Sequence, residues 1–202
     1  YLAFFIAVPM PCRYAISASC SVLPFSAVGA WAISSSVYGS PSVRSVRMRA
    51  EIESLGVTAH AAVVARSVEY QQGDTALEGF HMYDAAVSGK RPAVLVIHQW
   101  TGLSNYEKKR ARMLAELGYN VFAADIYGKG IRPPAPGPAG EVAGEYKKDR
   151  ALYRARLMAA LEVLTKDQRT EPAKIAAIGY CFGGTGVLEL ARAGAPLSGV
   201  VS

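Results

Sequence analysis

Residues 174–184 read Lys174-Ile175-Ala176-Ala177-Ile178-Gly179-Tyr180-Cys181-Phe182-Gly183-Gly184. The apolar run up to Gly179 has the length and composition of a buried strand, and Gly184–Ala193 reads as a helix that Gly194 can terminate. Between them, Gly179-Tyr180-Cys181-Phe182-Gly183 has the form G-x-nucleophile-x-G. A sharp strand-to-helix turn holds such a nucleophile in a strained conformation, and glycine on either side lets neighbouring backbones approach. The side chain then projects above the carboxyl end of the sheet. The N-terminus of the following helix offers unpaired N–H groups and partial positive charge, which favours negative charge on a Cys181 sulfur. The N–H of Phe182 would point at a developing oxyanion. Alone, G-x-C-x-G arises easily by chance, and its place between strand and helix gives it meaning. A phosphate-binding turn is the rival, but neither a Gly-Lys-Ser/Thr ending nor G-x-G-x-x-G spacing is present.

Outward from this motif the chain alternates strand and helix. Ala93–His98 (AVLVIH) is a second continuous apolar run, followed by a helix that Ser104 or Asn105 can cap, with Tyr106, Met113, Leu114 and Leu117 at helical spacing and Gly118 as the stop. Asn120–Asp125 (NVFAAD) reads as a strand. Residues 126–140 hold four Pro and four Gly and read as a long connection, not a helix or inner strand, of the kind often laid over active sites. One long helix is expected over Glu145–Lys166, with Tyr153, Leu157, Leu161 and Leu164 on one face, and Leu197–Ser202 begins another strand. Upstream, Ser67–Gln71 and Thr75–Tyr83 flank Gly73-Asp74 as an antiparallel hairpin. The alternation implies parallel pairing with right-handed crossovers, hence an α/β sheet with helices on both faces.

Of 202 residues, 51% are hydrophobic and 19% charged, which excludes an intrinsically disordered chain. The net charge of +6 does not indicate nucleic acid. Four of those charges are Arg13, Arg44, Arg47 and Arg49, in a segment 1–50 without Asp or Glu, so residues 51–202 are nearly neutral. No basic block is interleaved with aromatics. The Ser-rich, acid-free leader has the composition of an organellar transit peptide, for plastid or mitochondrion. A translated upstream region before Met48 is the alternative, with a cytoplasmic protein as its consequence. The apolar run Leu2–Met10 is far short of the roughly 20 residues a membrane span needs. The expected organisation is a leader over 1–50, largely disordered, a linker over 51–66 and a folded domain over 67–202. Cys12 and Cys20 lie in the leader, which leaves Cys181 the lone thiol of residues 51–202, without an internal disulfide or a Cys-based metal cage.

The segment Ile97-His98-Gln99-Trp100-Thr101-Gly102 follows the Ala93 strand, where α/β-hydrolases place the loop that gives a second oxyanion N–H. The pair IHQWTGLSNYEKKRARMLAELGYNVFAADIYGKGIRP and IAAIGYCFGG closely resembles the dienelactone hydrolase family of α/β-hydrolases, over roughly Val68–Ser202. The resemblance implies a three-layer sandwich with a mostly parallel sheet and an N-terminal antiparallel hairpin. It implies a Cys–His–Asp triad acting on small-molecule ester or lactone substrates, without metal or cofactor. Cys181 matches the family nucleophile, and the Trp100 and Phe182 amides match its oxyanion hole. Gln99 stands where classical members carry a Glu that interacts with the resting thiol, and a neutral amide cannot take a proton as that carboxylate could.

In this fold the triad runs nucleophile, acid, His. The 21 residues after Cys181 hold neither Asp nor His, and the chain starts at Tyr1. It therefore reads as a fragment lacking its last strands and two triad members, inactive or nearly so by itself. His98 is given a supporting role beside the site, while His60 and His81 read as surface or packing residues and Asp125 as a turn cap. Tyr127, Arg150 and Arg154 are weaker candidates for substrate contact, the arginines by analogy with those that meet a substrate carboxylate in dienelactone hydrolases. Packing for Tyr127, and a solvated helix face paired with Asp149 for the arginines, are the competing readings. The alternative function is a non-catalytic or redox-responsive binding protein of the same fold.

Overall fold

The computed structural model describes residues 5–6 and 63–202. Apart from Phe5–Ile6, the leader with Cys12 and Cys20, the targeting reading and His60 lie outside the described residues. The elements are β1 (Phe5–Ile6), β2 (Val63–Gln72), β3 (Thr75–Asp84), β4 (Arg91–Ile97), α1 (Asn105–Glu116), β5 (Asn120–Ala124), α2 (Gly137–Lys148), α3 (Arg150–Lys166), β6 (Thr170–Gly179), α4 (Phe182–Arg192) and β7 (Gly199–Val201). They form one seven-stranded sheet in the order β1-β7-β6-β4-β5-β3-β2. β7, β6, β4 and β5 pair in parallel, whereas β2 with β3, β3 with β5, and β1 with β7 are antiparallel.

The central strands are apolar on both faces because both faces are covered. On one side, Leu95, Ile97, Phe122 and Ala177 pack with Tyr153, Leu157, Leu161 and Leu164 of α3 and Leu190 of α4. On the other, Val94, Val96 and Val121 pack with Ala111 and Ala115 of α1. The apolar stripe expected on α3 is thus its core face. On α1 the outcome differs. Tyr106, Met113 and Leu117 are exposed, and the helix meets the sheet through Ala111 and Ala115, whose small side chains let the backbone come close, with Leu114 partly buried against the same cluster.

The hairpin forms where expected, with Gly73 at a φ of 57° in its turn, but β2 begins at Val63, inside the segment read as linker. The Pro-rich connection yields to a helix at Gly137. Pro138 sits in the first turn of α2, where a missing N–H removes no intrahelical bond. The single helix expected over 145–166 is two. The chain leaves helical geometry at Asp149 (φ −95°, ψ 85°), whose carboxylate accepts from the Leu152 N–H at 2.9 Å and caps α3. β6 starts at Thr170, and a register shift against β4 between Arg91 and Ala93 absorbs the additional residues.

Candidate active site

The turn from β6 into α4 is built by two close approaches. A β-carbon on Gly179 would lie 2.0 Å from the Gly183 carbonyl oxygen, and one on Gly183 would lie 2.4 Å from that of Ile97. Neither position can carry a side chain without moving backbone. Cys181, between them, has φ 53° and ψ −106°, and is the one non-glycine residue at positive φ among the described residues. Such a conformation costs about 1–3 kcal/mol and persists only where its surroundings enforce it. Its thiol is free and exposed.

Phe182, by contrast, is 1% exposed and sits in an aromatic cluster. Its ring stacks on Tyr153 (4.7 Å between centroids, 21°) and on His98 (5.7 Å, 15°), with Tyr127 and Tyr146 closing the sides. The Tyr153 hydroxyl donates to the Phe182 carbonyl at 2.9 Å, and the Tyr127 hydroxyl donates to the Trp100 carbonyl at 2.8 Å. Burial pushes both tyrosines up, far from ionisation. Tyr127 is buried beneath the Trp100 loop, so the structure uses it for packing and support.

The loop after β4 lies beside this turn, held by the Tyr180 N–H to Ile97 carbonyl bond of 3.4 Å. A tight turn follows, in which the Gly102 N–H reaches the Gln99 carbonyl at 3.2 Å and Gly102 takes a φ of 85°. His98 is wholly buried. Its Nε2 accepts from the Ile126 N–H at 3.2 Å, which leaves Nδ1 as donor to the Gln99 carbonyl at 2.5 Å. Burial holds this imidazole down at about 4. Neither nitrogen is free to act as a base. Gln99 and Trp100 are half-buried, and α2 packs on Trp100, with Gly140 against the indole edge.

Glu107 is the residue the sequence reading missed. Fully buried, it accepts from the Ser104 N–H (2.9 Å), the Ser104 hydroxyl (2.6 Å) and the Gln99 N–H (3.3 Å). The Ser104-x-x-Glu107 spacing of a capping box was the available signal. Asp125 is a buried turn cap, accepting from the Glu78 and Gly128 N–H groups and lying 3.4 Å from Arg132. Arg132 also donates to the Leu103 carbonyl at 2.6 Å, tying the Pro-rich segment to the Trp100 loop.

Arg150 and Arg154 are directed elsewhere. Both pair with Glu189 of α4, at 3.7 and 2.8 Å, rather than with Asp149 or the Cys181 turn. His81 lies at the opposite end of the sheet, donating to Asn120 at 2.6 Å and accepting from Arg66 at 3.2 Å. Among the described residues no three His, Cys, Asp or Glu side chains converge to hold a metal ion.

The sheet order and the strained turn that closes β6 make this an α/β-hydrolase-type fold. The chain belongs to the dienelactone hydrolase family, whose model matches residues 77–202. It is 33% identical over 127 residues to a protein of Aquifex aeolicus (strain VF5) named "Putative carboxymethylenebutenolidase", covering 60% of this chain and 53% of that one. Among solved structures, a dienelactone hydrolase-like promiscuous phosphotriesterase from metagenomic libraries is 44% identical with a TM-score of 0.65. Another, named m3DLH, is 39% identical with a TM-score of 0.66. Each alignment covers 68% of this chain and 57% of the other. The chain spans about half the length of the curated relatives it matches.

Proposed function

We propose that the protein is a hydrolase of ester or lactone bonds that works through Cys181. The observation that carries this reading is the Cys181 backbone itself, strained at positive φ between two glycines that only close backbone packing explains. In the proposed reaction the Cys181 thiolate adds to the substrate carbonyl carbon, forming a sulfur–carbon bond. The resulting oxyanion is held by the N–H groups of Trp100 and Phe182. Among the described residues, neither N–H is taken up by a backbone carbonyl outside helices and strands. Collapse breaks the carbon–oxygen bond to the leaving group, the alkoxide takes a proton from water and departs as the alcohol, and an acyl-thioester remains on Cys181. Water then adds to the thioester and releases the acid and the thiol. His98 and His81 do not supply the base, since hydrogen bonds occupy both ring nitrogens of each.

Family membership and the name of the Aquifex relative support the choice of carbonyl substrates. Cys181→Ala in the full-length protein should abolish turnover of an activated ester such as p-nitrophenyl acetate, and Cys181→Ser should keep a fraction. Turnover undiminished in Cys181→Ala would overturn the assignment. A thiol that is oxidised but never acylated would favour a redox-responsive binding protein instead.

A further inference from the structure

We infer that His98 is a positioning residue of the proposed reaction, setting the direction of the Trp100 N–H by clamping the peptide unit to which it belongs. The inference rests on the reading of Cys181 as an acylated nucleophile. The Gln99 carbonyl and the Trp100 N–H are two ends of one planar peptide, pointing in opposite directions. Whatever fixes the oxygen therefore fixes the N–H. The oxygen is held by His98 Nδ1–H at 2.5 Å and by the Gly102 N–H at 3.2 Å.

The imidazole cannot turn away from this duty. The Ile126 N–H donates to Nε2, so the proton must reside on Nδ1. The ring is 0% exposed, stacked on Phe182 and edge-on to Tyr127 at 4.7 Å. The units on either side are held as well, with the Gln99 N–H on the buried Glu107 carboxylate and the Trp100 carbonyl on the Tyr127 hydroxyl. His98 thus touches both halves of the proposed oxyanion site, one by a hydrogen bond to the Gln99–Trp100 peptide and one by stacking on the Phe182 ring. A hydrogen bond to the carbonyl also polarises that peptide, which strengthens its N–H as a donor.

Two reactions of one sulfur separate positioning from mere structure. Acylation of Cys181 by p-nitrophenyl acetate passes through an oxyanion, forming the thioester and releasing p-nitrophenolate. Alkylation by iodoacetamide forms a sulfur–carbon bond and releases iodide with no oxyanion at all. Both rates are read on the Cys181 peptide by mass spectrometry, in wild type, His98→Leu and His98→Asn. Leucine keeps bulk without a donor, whereas the asparagine amide can place a donor near Nδ1.

The expected result is acylation slowed roughly 10- to 100-fold in His98→Leu, below the 10²–10³ lost when an oxyanion donor is deleted outright. Alkylation should stay within about twofold, and His98→Asn should recover most of the acylation rate. Equal loss of both reactions, or acylation unchanged in His98→Leu, would overturn the proposal while leaving the nucleophile in place. A wild-type Cys181 that is alkylated but never acylated would remove the underlying reading, and the proposal with it. If His98→Leu does not fold, His98→Met takes its place as the variant without a donor. A ratio of acylation to alkylation lowered at least about tenfold from wild type supports the clamp, and a ratio equal to wild type contradicts it.

Discussion

The Tyr153 hydroxyl donates to the Phe182 carbonyl at 2.9 Å, and Gly186 leaves the space in which it does so. A β-carbon at Gly186 would stand 2.5 Å from that hydroxyl oxygen and 2.9 Å from the ring carbon that bears it. One buried side chain on α3 therefore seats the first turn of α4 and, with it, the Cys181 turn. Tyr153→Phe should lower stability by about 1 kcal/mol, the usual net value of a buried hydrogen bond. Gly186→Ala should cost about 1–3 kcal/mol through overpacking, and less in the Tyr153→Phe background. Urea denaturation of the two single variants and the double variant would measure this coupling, and strict additivity would argue against the contact.

The glycines of the Cys181 turn, Gly179 and Gly183, should be less forgiving. Gly183→Ala meets the Ile97 and His98 carbonyl oxygens at 2.4 and 2.7 Å, and these belong to a central strand and its loop. Backbone there has no room to yield, so loss of at least about 3 kcal/mol is expected, at the severe end of single substitutions. A melting temperature unchanged in Gly183→Ala would contradict the packing described.

Much of this architecture is legible in the sequence alone. The runs Ala93–Ile97 of β4 and Ile175–Ile178 of β6 are apolar without interruption because α-helices cover both faces, and the G-x-C-x-G sits where the periodicity changes. The break at Asp149 was not legible, since residues on both sides favour helix and only a side-chain cap separates α2 from α3. Nor was the setting of Phe182, whose neighbours His98, Tyr127, Tyr146 and Tyr153 come from four separate segments. The partners of Arg150 and Arg154 were misjudged for the same reason. Their common acid, Glu189, is more than thirty positions away and reached only by packing α3 on α4.

The Glu189 cluster gives a test of substrate contact. Arg150, Arg154 and Arg192 converge on one carboxylate, the last at 3.0 Å. Arg154→Ala should leave KM for a carboxylate-bearing ester within about twofold and lower stability by no more than about 1 kcal/mol, as partly exposed pairs do. A large rise in KM with kcat unchanged would restore Arg154 as a substrate ligand.

Acid should weaken the fold through His98. Burial holds the folded ring down to about 4, whereas an unfolded histidine titrates near 6.5. The folded state then binds fewer protons than the unfolded state across this window. Its stabilising contribution is complete above pH 6.5 and is lost as pH falls toward 4, about 3 kcal/mol at the limit. Between pH 7 and 4.5 the loss in His98→Asn should be smaller than in wild type by about 2 kcal/mol. His81, also held down by burial, is common to both proteins and cancels in the comparison. Equal losses would mean that His98 titrates in the folded state as freely as in the unfolded one.

The central claim is that the strained thiol at the end of β6 is acylated by substrate. Full-length protein mixed with an activated ester, quenched in acid within the first turnover and digested, reports this directly by peptide mass. The account predicts one acyl group on the peptide carrying Cys181, absent from Cys181→Ala and cleared as the ester is consumed. Ester cleavage that proceeds with Cys181 unmodified throughout would contradict it.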